Sequence, residues 1–163
     1  DVFVRAMPTV LAKYPKARLR FFGQGAAEPQ LRALAADLAP DAVEFGGVVP
    51  PKEAAGWLSG AVAGLVSIVP GKGYDFAKPT KIYAAAACGT PVLFAGVGAS
   101  AELIEDNRLG VVAEYTPEAV AARMIAMLDG ERPDGAKLVD WVTKNASLAN
   151  TGRAAATWIT AHA

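Results

Sequence analysis

The stretch AGLVSIV, Ala63 to Val69, is almost wholly apolar, the pattern of a strand covered on both faces, as parallel strands under helices are. It does not stand alone. Shorter apolar runs recur at Ala17 to Phe22, Val43 to Phe45, Val92 to Phe94 and Gly110 to Ala113, and segments of helical spacing separate them. Strand and helix alternating in this way predict an α/β fold, a Rossmann-like open parallel sheet with helices on both faces. At 163 residues and 53% hydrophobic content the chain has the size of one domain and enough apolar matter for a core.

The helical segments carry their own punctuation. Val2, Met7, Val10, Leu11 and Tyr14 share helical spacing, and Pro15 stops that run. Helices are expected over Pro29 to Leu38 and over PPKEAAGWLSGA, where Pro51 suits a first turn. The next is expected from Thr80, as its cap, to Cys88, with Gly89 and Pro91 ending it. Helices at Pro117 to Leu128 and Lys137 to Ala161, interrupted near Asn145 to Asn150, complete the chain. Ligands of open α/β sheets bind beyond the carboxyl ends of the strands. That rule selects the loops at residues 23–28, 46–50, 70–80 and 94–101.

Charge and soft ligands narrow the chemistry. Lys plus Arg and Asp plus Glu number 16 each, so no net positive charge supports general nucleic-acid binding. A single cysteine, Cys88, excludes an intramolecular disulfide, and one histidine beside it leaves too few ligands for zinc. No apolar run approaches the ~20 residues that cross a bilayer. Gly23-Gln24-Gly25 is part of a dinucleotide fingerprint without its third glycine or its later acid, and a strand-ending turn accounts for it better. His162 reads as a tail residue and Cys88 as a packed small residue. Trp57, Trp141 and Trp158 read as core or interdomain contacts, and Glu102 to Asp106 either as a ligand-facing cluster or as a solvated helix face.

The most informative segment is PTKIYAAAACGTPVLF, residues 79–94. A helix start offers unpaired amides and the positive end of its dipole, which together seat phosphate. Lys78 and Lys81 add charge there, and the small residues let the helix lie close to a sheet or a ligand. An ordinary alanine-rich packing helix has the same pattern. Three further segments accompany it in order: LRFFGQG, then VEFGGVVPPKEAAGWLSGAVAGLVSIVP, and finally GASAELIEDNRLGVVAE.

Together, over roughly residues 17–130, these resemble the carboxyl-terminal domain of glycosyltransferase family 4, group 1 enzymes of the GT-B fold. The resemblance implies a single Rossmann-like nucleotide-sugar-binding domain over residues 1–163, a fragment lacking the amino-terminal acceptor domain. It implies the donor-binding half of a retaining glycosyltransferase of the hexosyl type, taking a UDP- or GDP-sugar to a saccharide or lipid acceptor. No cofactor and no metal are implied, and the isolated fragment is expected to be inactive. Asp1 opens directly on a helical pattern, as expected of an excised piece. Its expected partners are the nucleotide-sugar and the missing domain of the same protein, without nucleic acid. The expected compartment is the cytoplasm, with peripheral membrane contact through the missing domain left open.

Residue by residue, the resemblance places Phe45, Gly46 and Gly47 beside the base, largely through backbone. It places the loop of residues 72–80 at the sugar and diphosphate, and names Lys78, Pro79, Thr80, Lys81 and Ala84 as the residues that meet sugar, diphosphate and ribose. The departures are specific. Many members carry two glutamates eight positions apart, where this chain has Phe76 and Ala84, and the second glutamate holds the ribose. The arginine and lysine that clamp the diphosphate belong upstream of Asp1. The alternative is therefore a degenerate nucleotide-binding or regulatory module that has kept the fold and lost transferase activity.

Overall fold

The computed structural model describes residues 1–162. Its elements run α1 (Val2–Lys13), β1 (Leu19–Phe21), α2 (Glu28–Leu38), β2 (Val43–Phe45), α3 (Pro51–Ser59), β3 (Gly64–Ser67) and α4 (Thr80–Ala87). They continue with β4 (Val92–Ala95), α5 (Ala99–Asp106), β5 (Gly110–Ala113), α6 (Pro117–Leu128), α7 (Gly135–Asn145) and α8 (Leu148–Ala161). Every pairing is parallel, as the alternation requires. The strands form two hydrogen-bonded groups, β1–β2 and β3–β4–β5.

Burial follows position in the sheet. All four residues of β4, the middle strand of its group, are buried, and Leu93 and Phe94 are sealed from solvent. Truncating a phenylalanine so placed costs about 3–5 kcal/mol. The expectation that Ala63 to Val69 is buried on both faces is corrected: β3 is shorter, Ser67 and Val69 are exposed and Leu65 is half-buried. β3 ends its group, so only one of its edges has a neighbour. Gly110 lies opposite Val92, where a Cβ would come within 1.8 Å of the Val92 carbonyl oxygen. The two strands approach that closely only because glycine stands there.

Two apolar clusters hold the layers together. One gathers Val2, Phe3, Val4, Ala6, Met7 and Val10 of α1 with Leu19, Val43, Leu93, Ala95 and Ala113, so α1 spans both groups of strands. The other joins Val66, Val92 and Phe94 to Ile82, Ala85 and Ala86 of α4, Ile104 of α5 and Leu138 of α7. These clusters lie on opposite faces, because side chains alternate along a strand. Leu93 belongs to the first and Phe94 to the second.

Local signals set the helix ends. Thr116 caps α6, accepting from the Ala119 amide at 3.3 Å, with Pro117 in the first turn. Asp134 caps α7 through the Ala136 amide at 2.9 Å. The interruption expected near Asn145 to Asn150 is present: α7 ends at Asn145 and α8 begins at Leu148, capped by Ser147. Trp141 is a core contact: its indole donates to Asn107 Oδ1 at 2.9 Å and its ring stacks on Tyr83. Trp158 is 64% exposed and stacks on His162, itself exposed on the tail. Cys88 is the half-buried cap at the end of α4.

Candidate functional site

The predicted site residues lie at the carboxyl end of β2, in the loops after β2 and β3, and in the first turns of α4. After β2, Gly46 donates its amide to the Phe21 carbonyl at 2.8 Å, and the Gly47 carbonyl accepts from the Gly23 amide at 2.7 Å. The turns after β1 and β2 are thereby tied together. Phe45 stacks on Phe21 with ring centroids 5.1 Å apart, and the Arg32 guanidinium covers its ring. Its side chain is engaged within the fold, so what this position offers a ligand is backbone.

After β3 the chain forms a long loop, residues 68–79, before α4 begins. The N-cap of α4 is Pro79, and no side chain caps the helix. The expectation that Thr80 caps it is corrected: Pro79 takes the extended cap conformation and leaves Thr80 as the first helical residue. With no hydroxyl spent on capping, the first amides of α4 remain available to an anion. Lys78, Thr80, Lys81 and Ala84 are all exposed, and Pro79 is half-buried. Among the described residues neither lysine is paired with a carboxylate. A hollow of about 460 Å³ opens beside Pro79, lined also by Ser67, Ile68, Val69, Lys72, Tyr74 and Ala77. Lys72, inside the expected loop 72–80 but not singled out by the sequence, adds a third cation unpaired with a carboxylate.

This loop is fastened to the start of α5. Ser100, fully buried, donates its hydroxyl to the Ala77 carbonyl at 2.6 Å, and the Ala99 amide donates to the Asp75 carbonyl at 2.9 Å. Asp75 closes the loop on itself through Oδ2, which accepts from the Gly71 amide, while Oδ1 is buried without a partner. Gly98 has φ +81°, and a Cβ there would lie 2.2 Å from the Asp75 oxygen. Only glycine fits both the backbone and the space. Ser100 and Asp75 escaped the sequence reading because their partners lie far along the chain or on the main chain.

A second hollow, about 580 Å³, lies between α5 and α6 at the ends of β4 and β5, with Glu102, Glu105, Glu114 and Arg123 on its wall. Glu102, Glu105 and Asp106 are exposed. Phe76 is 77% exposed. Trp57 is a surface contact, its ring 5.4 Å from that of Phe22 and beneath the Arg20 guanidinium. Among the described residues no three His, Cys, Asp or Glu side chains gather as a metal site, and no helix is long and apolar enough to cross a membrane.

This arrangement has relatives. The chain is 33% identical over 140 residues to a D-inositol 3-phosphate glycosyltransferase of Acidothermus cellulolyticus and to D-inositol 3-phosphate glycosyltransferase 2 of Catenulispora acidiphila. Each match takes in 79% of the chain but only 30% and 32% of those proteins. The chain thus spans about a third of the curated relatives it matches. In structure it is similar to WaaG, a glycosyltransferase involved in lipopolysaccharide biosynthesis, with a TM-score of 0.72 and 18% identity, covering 95% of the chain and 42% of WaaG. That likeness establishes the GT-B-type α/β fold. The family model described as "Glycosyl transferases group 1" matches residues 1–130, and the chain belongs to that family.

Proposed function

We propose that the chain is the donor-binding half of a retaining glycosyltransferase that moves a hexosyl group from a UDP- or GDP-sugar to a saccharide or lipid acceptor. One observation carries this: the uncapped, exposed start of α4, flanked by Lys78 and Lys81 and bordering a hollow that holds Lys72. Negative charge grows on the leaving diphosphate as the glycosidic bond breaks, and cations and oriented amides stabilise it there. The three lysines and the first amides of α4 supply both. In this pose the base lies against the backbone of Phe45, Gly46 and Gly47, and Ala84 faces the ribose. No metal takes part in this reading, and the acceptor is held by the rest of the protein.

The test is a donor screen on the full-length protein, with the anomeric configuration of the product read by NMR. Transfer from a uridine or guanosine diphospho-sugar with retention supports the proposal. Inversion, or no transfer from any nucleotide-sugar, overturns it. A second reading, a nucleotide-binding or regulatory module, is favoured by Phe76 and Ala84 standing where the resembled family carries glutamates. Nucleotide binding without transfer by the full-length protein is its signature.

A further inference from the structure

β5 stands at the end of its group, with β4 on one side and no strand on the other among the described residues. The Val92 amide donates to the Leu109 carbonyl and the Gly96 amide to that of Ala113. In a parallel ladder of this register, Leu109, Val111 and Ala113 therefore turn their backbone groups toward β4. Those of Gly110 and Val112 point the other way. Neither has a backbone partner across that edge among the described residues.

The edge is set in a groove. Ile104 of α5 packs in the same cluster as Phe94, whereas Val120 and Ala121 of α6 pack in the one that holds Leu93 and Ala113. The two helices thus cover opposite faces of the sheet. The hollow of about 580 Å³ touches both helices and Val112, Ala113 and Glu114, so it runs along the free side of β5 to the end of the strand. Small residues line it, among them Ala101 of α5 and Ala119 and Ala122 of α6. Glu102 and Glu105 stand on the α5 wall, Glu114 at the end of the strand and Arg123 on the α6 wall. All four are exposed, and none forms an ion pair among the described residues.

Each feature narrows what the groove takes. Unpaired backbone groups along an edge are met by another extended chain. The small lining leaves room for that chain between the helices. Three carboxylates against one guanidinium favour cationic side chains. The same surplus of negative charge argues against a second copy of this chain, which would set two acidic rims against each other. Nor do the carboxyl-terminal helices fill the groove, since α7 packs on α4 and α8 on α7.

We infer that the free edge of β5 is a docking site for an extended, lysine- or arginine-bearing segment of another protein, which adds as a further strand between α5 and α6. Successive side chains of a strand face opposite sides. The cationic ones then lie toward Glu102 and Glu105, and the alternate, small apolar ones toward Ala119 and Ala122.

Hydrogen exchange at the Val112 amide of the full-length protein tests this, with the peptide acetyl-Lys-Val-Lys-Val-Lys-Val-amide as probe. No nucleotide is present, so the outcome is independent of the proposed donor. Without peptide, the Val112 amide is expected to exchange at least about tenfold faster than those of Val111 and Ala113. Saturating peptide is expected to remove that difference. Glu102→Gln combined with Glu105→Gln is expected to weaken peptide binding by about tenfold. The same peptide with every amide N-methylated keeps its charge, loses its donors and is expected to give no protection. Equal protection by the N-methylated peptide, or affinity unchanged by the double substitution, overturns the inference. So does a Val112 amide already protected without peptide, the sign of an edge covered by the rest of the protein or by a second copy. Absence of protection at saturating salt-free peptide overturns it as well, and leaves the glutamates as guards of a bare edge.

Discussion

Ser100, at the start of α5, and Ala77, in the loop after β3, are joined by a 2.6 Å hydrogen bond from a hydroxyl that no solvent reaches. The loop bordering the candidate anion seat is therefore held by α5, which sits on the neighbouring strand. Ser100→Ala removes the donor and leaves the Ala77 carbonyl without its partner. We expect a loss of about 1–3 kcal/mol in urea unfolding, with faster exchange at the Ala99 amide. Unchanged stability would show that the loop is fixed by other contacts.

Gly98→Ala strikes the same joint from the backbone side. A Cβ at φ +81° meets the Asp75 oxygen at 2.2 Å, so the loop must shift or the helix start must move. The expected result is a lower melting temperature and chemical-shift changes across residues 70–80, with little change around the β1–β2 pair.

Sequence alone revealed the alternation of elements because apolar runs and helical periods are local. Which strand is central is not local: AGLVSIV is the more apolar run, yet β4 is the one buried throughout, because it alone has a neighbour on each side in its group. The candidate site divided likewise. The exposed lysines at the start of α4 were legible in PTKIYAAAA, since a helix start has a local signature. The cap was misassigned because Pro79 and Thr80 are both acceptable at adjacent positions, and only the backbone decides between them. The lining of the hollow by Lys72 and the Ser100–Ala77 tie depend on how the loop folds back, in the second case onto the start of α5, and no spacing rule reports that.

Asp129 joins α1 to the end of α6, accepting from the Lys13 ammonium at 2.7 Å and from the Tyr14 hydroxyl. The hydrogen bond from Lys13, then that from Tyr14, holds its carboxyl below the ordinary value of 3.8. A carboxylate with a lowered folded-state pKa stabilises above its unfolded pKa, and that contribution fades as pH falls through the lowered value. Asp129→Asn is therefore expected to lower the urea midpoint at pH 7, with the gap from the wild type closing below about pH 4. A gap independent of pH would assign the effect to packing instead.

Ala84 is exposed on α4, one turn beyond Lys81, so Ala84→Glu is expected to fold. In the proposed pose it adds an acceptor for the ribose hydroxyls and strengthens nucleoside diphosphate binding by up to about 1–2 kcal/mol. Lys81→Ala weakens it. Calorimetry on both variants checks the pair, and unchanged affinity in a folded Ala84→Glu would place the nucleotide elsewhere.

The 163-residue chain by itself is expected to transfer no sugar, since two reactants must be positioned and water excluded for transfer to compete with hydrolysis. Product formation by the purified chain with any saccharide or lipid acceptor would contradict this. A trace of donor hydrolysis would not.

Titrating UDP, GDP and ADP into the chain while following backbone amide shifts probes the nucleotide seat at the start of α4. Saturable shifts with UDP or GDP are expected at residues 45–48 and 72–82, with a dissociation constant on the order of 0.1–10 mM, since three lysines and the amides of one helix start supply few charge-assisted hydrogen bonds. Shifts confined to the Gly23 turn, or none at residues 72–82 with any of the three, would contradict it.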